Sequence, residues 1–215
     1  MGKDKLRRFA EIETFSNVVQ LDAGKPFKGN WAKAFFKNDN PVVLELACGK
    51  GEYTVNLAVM FPEKNFIGID YKGNRIWRGA KTALEEGVTN VGFLRIQIET
   101  LLDYFGPGEI DEIWITFPDP QPQLSREKKR LTSARFLEMY KTVLKPGGFV
   151  NLKTDNDDLH AYTAEKITET GLNLHVKTED LYQSEYADEV LNIKTYYEKK
   201  YLKDNKNINY LKFSF

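Results

Sequence analysis

The chain has 215 residues, 41% hydrophobic and 29% charged, enough to bury one substantial core and near the upper end of single-domain length. Its 31 basic and 31 acidic side chains cancel, so affinity for a polyanion has to come from local clusters of Lys and Arg. A single cysteine, Cys48, excludes an intramolecular disulfide and a Cys-rich metal site, and the two histidines are too few for a His cluster, so no metal is expected.

In chain order, residues 1–40 read as an N-terminal arm and leading helix, with a basic start (Lys3, Lys5, Arg7, Arg8) and a Gly/Pro/Lys segment at Gly24–Gly29. No apolar segment of a secretion signal follows that start, and no run reaches the roughly 18 apolar residues of a membrane span; a cytoplasmic protein is expected. From residue 41 to 215, short apolar runs alternate with helix-length amphipathic stretches. Strands are predicted at Val42–Ala47, Phe66–Asp70, Val91–Ile96, Ile110–Phe117 and Phe149–Lys153, and helices near 52–60, 74–86, 98–105, 133–144 and 157–169. The alternation predicts an α/β domain whose parallel sheet is covered on both faces. After Gly171 come a strand-like Leu172–Lys177, a helix around Thr195–Leu202 and a final alternating run Ile208–Phe215; the last two strands are expected to form a hairpin-like pair at one sheet edge.

The first strand runs into Glu45-Leu46-Ala47-Cys48-Gly49-Lys50-Gly51, where glycine permits a sharp bend and close approach of a ligand to the backbone. Taken alone, such a pair is equally a tight turn with no ligand. The second strand ends in Asp70, where an acidic side chain can accept both hydroxyls of a ribose; a helix N-cap is the equal alternative. A dinucleotide fold would share both features, but the turn is not G-x-G-x-x-G and lacks the third glycine that a pyrophosphate needs. It resembles motif I of class I methyltransferases, E-x-[GA]-x-G-x-G. That resemblance implies S-adenosyl-L-methionine, with Glu45, Gly49 and Gly51 near its methionine part, Asp70 on its ribose and Gln97, after the third strand, on its adenine edge. Lys50 reads as a solvated residue at a helix start.

The fourth strand delivers Phe117-Pro118-Asp119-Pro120-Gln121-Pro122 at the edge where open α/β sheets place ligands, and two prolines hold Asp119. A basic cluster follows, Arg126-Glu127-Lys128-Lys129-Arg130-Leu131, close enough to grip phosphates, although most charge runs are simply solvated. Here the sequence resembles the bacterial tRNA (guanine-N7-)-methyltransferase family, whose signature is F-[PS]-D-P-W-P-K-K-R-H followed by K-R-R-L. The match runs from Arg8-Phe9-Ala10-Glu11-Ile12-Glu13 through Lys153-Thr154-Asp155-Asn156 to Thr195-Tyr196-Tyr197-Glu198, nearly the whole chain. It departs in the loop, where Gln121-Pro122-Gln123-Leu124-Ser125-Arg126 stands for W-P-K-K-R-H and Gln123 replaces a lysine.

The resemblance implies a Rossmann-like class I methyltransferase fold, with a mostly parallel seven-stranded sheet, one antiparallel C-terminal strand and helices on both faces. It implies methyl transfer from S-adenosyl-L-methionine to N7 of guanine 46 in the variable loop of tRNA, by a monomer or homodimer. Glu45, Asp70, Gln97 and Asp119 would meet the cofactor, and Gln123, Asp155, Thr195, Tyr196, Tyr197 and Glu198 the tRNA. Asp119 would be the catalytic residue. Guanine N7 carries a lone pair and no proton, so positioning replaces a strong general base, and Asp119 and Asp155 are expected to flank one pocket mouth. Two other readings stay open: a class I methyltransferase acting on a small molecule or another RNA base, and a noncatalytic RNA-binding relative.

Overall fold

The Val, Ile and Leu runs of the sequence do become strands. A computed structural model describes residues 3–215, with strands β1 (Val18–Gln20), β2 (Val42–Leu46), β3 (Asn65–Ile69), β4 (Val91–Arg95), β5 (Ile110–Thr116), β6 (Leu144–Thr154), β7 (Asn173–Thr178) and β8 (Asn209–Ser214). The α-helices are α1 (Lys3–Ile12), α2 (Glu52–Met60), α3 (Gly73–Glu85), α4 (Ala134–Val143), α5 (Asp157–Glu169) and α6 (Tyr196–Lys203).

Strands β2 and β3 are buried at every position, as strands covered on both faces must be. Their alternate side chains serve opposite layers. Leu44 and Leu46 pack into one core with Phe136 and Tyr140 of α4, and Val43 joins Tyr53 of α2 and Ala80 of α3 in the other. Among the described residues no helix is long and apolar enough to cross a membrane.

The strand order is β1-β4-β3-β2-β5-β6-β8-β7, and every neighbouring pair is parallel except those that β8 makes with β6 and β7. From β2 the chain winds to β3 and β4 on one side, then returns to β5 and β6 on the other. The carboxyl ends of β2 and β5 therefore mark the switch point, where such sheets leave a crevice.

Three expectations are corrected here. The sheet has eight strands rather than seven, because Val18–Gln20 of the arm pairs with β4 in register Val18↔Phe93 to Gln20↔Arg95. Three residues are too few to show a period, so only the long-range pairing reveals this strand. The last two strands do pair antiparallel at one edge, but β8 inserts between β6 and β7 after a long connection that carries α6, so the pair is not a hairpin. The helix expected over 98–105 is a 3-10 segment, Ile98–Asp103, in which the Thr100 hydroxyl turns back onto the Gln97 carbonyl at 2.8 Å.

Candidate active site

Past β2 the backbone turns through three left-handed residues, Ala47 (φ 57°), Gly49 (φ 57°) and Gly51 (φ 69°). The two glycines answer different demands. A Cβ on Gly51 would lie 2.4 Å from Cε1 of Phe93, and one on Gly79 of α3 would lie 2.6 Å from the Lys50 carbonyl, so this pair lets α3 close onto the turn. A Cβ on Gly49 would meet nothing nearer than the Ala47 carbonyl at 3.9 Å, so its requirement is the bend itself. Gly51→Ala is expected to lose about 2–3 kcal/mol through left-handed strain and overpacking, read as a lower urea midpoint at unchanged m.

Glu45 lies beneath this turn, 2% exposed. It accepts from the Thr54 amide at 2.9 Å, from the Thr54 hydroxyl and from the Thr116 hydroxyl at 2.5 Å, which ties β2 to α2 and β5. Burial pushes its carboxyl up to about 7, against these three hydrogen bonds. A folded-state pKa above the ordinary carboxylate value means that the folded protein holds the extra proton. The stability is fully present below about pH 4.5 and is lost as pH rises through 7, on the order of 3 kcal/mol in all. Urea midpoints measured from pH 5 to 8 should fall along that course, and Glu45→Gln should flatten it.

At the end of β3, Asp70 is 9% exposed and bridges two loops, with Oδ2 accepting from the Gly49 amide at 3.1 Å and Oδ1 from the Lys72 amide at 2.7 Å. Each oxygen keeps acceptor capacity for a further donor. Asp70, Gln97 and Asp119 line one cleft of about 350 Å3, with Ile96, Leu131 and Phe136 as its apolar wall. That volume is in the range of small-ligand sites, roughly 300–1,000 Å3. The Gln97 side chain makes no hydrogen bond among the described residues, while its carbonyl accepts from the Thr100 amide at 3.0 Å. Asp119 is exposed and accepts from the Gln121 amide at 3.1 Å. The residues beside it, Phe117 (φ 50°) and Gln121 (φ 46°), are left-handed without being glycine, a strained backbone of the kind that gathers at functional sites.

The lining fits S-adenosyl-L-methionine. It carries the carboxylates of Asp70, Glu99 and Asp119 against the single cation Lys129, which suits a ribose and a sulfonium and repels the pyrophosphate of a dinucleotide. Glu45 does not line this cleft; it supports the loop from below.

Comparison with known proteins identifies the lineage. Residues 39–211 match a family model described as "Putative methyltransferase". The tRNA (guanine-N(7)-)-methyltransferase of Christiangramia forsetii is 52% identical over 99% of this chain and 98% of its own. That of Bacteroides fragilis is 48% identical over 99% of this chain and 86% of its own. The chain belongs to the tRNA (guanine-N(7)-)-methyltransferase family. Among solved structures, the 16S rRNA methyltransferase KamB superposes with a TM-score of 0.61 at 18% identity, covering 81% of this chain and 87% of its own, which shows the shared class I fold.

Within this family member, the residues expected to meet tRNA divide into distinct surroundings. Gln123 is exposed at the start of the 3-10 segment Leu124–Lys129 and lines neither the cleft nor its neighbours. Asp155 leaves β6 beside the end of β5, with Thr116 opposite Lys153. It opens into a separate groove, of about 790 Å3, between α5 and the ends of β7 and β8, and pairs with Lys206 at 2.8 Å. Asp119 and Asp155 thus follow two adjacent parallel strands, β5 and β6, at one edge of the sheet, with Asp119 lining the smaller cleft and Asp155 the larger groove.

Thr195 and Glu198 form a capping box on α6, with the Glu198 amide donating to Thr195 Oγ1 at 3.2 Å and the Thr195 amide to Glu198 Oε2 at 3.3 Å. Glu198 is fully buried and pairs with Lys153 at 2.9 Å, so it is closed to a polynucleotide. Lys153 also donates to the carbonyls of Leu191 at 2.8 Å and Ile193 at 3.3 Å. Burial lowers the Lys153 pKa and Glu198 opposes that. Tyr196 and Tyr197 are exposed. The Tyr196 amide donates to Glu52 at 2.8 Å and its ring centroid lies 3.9 Å from the Lys50 ammonium, so α6 docks on the Gly49–Gly51 turn and Lys50 is not simply solvated.

Proposed function

We propose that the chain transfers the methyl group of S-adenosyl-L-methionine to N7 of a guanine in tRNA, at position 46 of the variable loop, in the cytoplasm. The observation that carries this is the convergence of Asp70, Gln97 and Asp119 on one acidic cleft at the switch point of the sheet, in a chain whose relatives from Christiangramia forsetii and Bacteroides fragilis are named tRNA (guanine-N(7)-)-methyltransferase. Asp70 would hold the ribose hydroxyls and Gln97 the adenine edge, with Ile96 and Phe136 packing against the base. The cofactor supplies an electrophilic methyl on a sulfonium. N7 presents a lone pair without a proton, so this chain need not remove one.

Asp119 then has two tasks. Its carboxylate accepts from the N1/N2 edge of guanine, a donor pattern that adenine lacks, and it opposes the positive charge that develops on the purine. The hydrogen bond from the Gln121 amide and the flanking prolines fix its direction before substrate arrives. Asp155, restrained by Lys206, would meet tRNA outside this cleft. Mass mapping of nucleosides from tRNA incubated with protein and cofactor tests the reading. Position-specific 7-methylguanosine is expected; label appearing in small molecules, or in another base, overturns it.

A further inference from the structure

A groove of about 360 Å3 opens between α1, the Gly49–Gly51 turn and the first turns of α3, and shares no lining residue with the methyl-transfer cleft. Arg8, Lys50, Arg75 and Arg78 line it beside Trp77, and Glu52 is its one acid. In a chain with 31 basic and 31 acidic side chains, four cations against one carboxylate is a strong local excess. The Glu52 carboxylate is already engaged by the Tyr196 amide. Lys50, Arg75 and Arg78 have no ion-pair partner among the described residues, and Arg8 reaches the exposed Asp4 only at 4.0 Å.

Arg8 is also held in place without being satisfied. Its guanidinium lies 4.6 Å from the centroid of the Trp77 ring, and that ring is 7% exposed and fixed by a hydrogen bond from its Nε1 to Glu11. The Arg8 Nε is buried and has no hydrogen-bond partner among the described residues. A buried donor left open is costly unless something fills it, and a stacked guanidinium has already surrendered much of the freedom that binding would remove. Planar forks beside a compact ammonium match the oxygens of a phosphodiester. At its Lys50 side, the ammonium lies 3.9 Å from the centroid of the Tyr196 ring, and Tyr196 and Tyr197 are exposed; cations beside exposed aromatic rings suit a nucleic-acid strand better than a free anion.

We propose that this groove binds backbone phosphates of the tRNA, as an anchoring site separate from the methyl-transfer cleft. The inference rests on tRNA being the substrate. Arg75 and Arg78 are exposed, so the double variant Arg75→Gln/Arg78→Gln leaves the core intact. Its affinity for tRNA is measured across a salt series beside wild type and Arg8→Gln, with S-adenosylmethionine affinity by calorimetry as a second readout. The double variant should weaken tRNA binding about ten- to thirtyfold near 0.15 M salt and reduce the slope of log K against log salt by about 1.4 to 1.8. The KM for tRNA should rise with the Kd, and cofactor affinity should hold. Arg8→Gln should weaken tRNA binding in the same direction.

Unchanged tRNA affinity and slope in a protein whose wild type makes 7-methylguanosine would overturn the anchoring site alone. A wild type that neither binds nor methylates tRNA would overturn the substrate reading and this site together. Loss of cofactor affinity in the double variant would assign the groove to the cofactor and overturn the proposal as well.

Discussion

Replacing Asp119 with alanine is expected to slow methyl transfer to tRNA by about 10²- to 10³-fold, the scale of removing one preorganised polar group that acts on developing charge. The side chain is exposed and its one hydrogen bond among the described residues is the 3.1 Å contact from the Gln121 amide, so the fold should survive unchanged. The loss should fall on kcat, because the interaction strengthens only as the purine becomes cationic. Asp119→Asn keeps an acceptor and loses the charge, and should fall between wild type and alanine. Single-turnover rates at saturating cofactor and tRNA make the measurement. An alanine variant within twofold of wild type would remove Asp119 from the chemistry.

The second large effect concerns stability. Lys153→Met should lower folding stability by about 3–5 kcal/mol, the usual result of removing one partner of a buried ion pair. It strips the charge opposite Glu198, leaves the Ile193 carbonyl without its donor and leaves that of Leu191 only the long contact from the Tyr182 hydroxyl at 3.4 Å. The companion change Glu198→Leu made in the same chain should restore a large part of the loss, since two apolar groups leave no uncompensated charge. A double-mutant cycle from urea midpoints reads the coupling. If Lys153→Met costs under 1 kcal/mol by that measure, the pair does not hold the 191–198 segment to the sheet.

The sequence exposes what has a period. Strands β2 and β3 and helices α2 and α3 announce themselves through apolar runs and amphipathic spacing, and their turn glycines follow. Asp70, Gln97 and Asp119 were legible because each sits just past a strand end, and one architectural rule brings strand ends together. Residues set by long-range pairing were not. β1 has three residues, and the insertion of β8 between β6 and β7, with Lys206 just ahead of β8 pairing with Asp155, depends on partners far along the chain. Glu45 and Glu198 look like site acids in a motif yet are buried supports. A lysine at 153, within the apolar stretch of β6, was the one available sign that a buried carboxylate had to exist somewhere. The motif suggests that Gly51 lets a ligand approach, whereas the atom a Cβ there would meet belongs to Phe93.

The place of β8 has a bearing on how the molecule is made. Among the described residues β7 bonds to no strand but β8, so residues 173–178 leave the ribosome with nothing to join until residues 209–214 have followed them out. During that interval the outer flank of β6 stays an open template for foreign strands. Completion of this edge should therefore be the slow, late step of maturation, and the step at which a nascent chain is most in need of a chaperone.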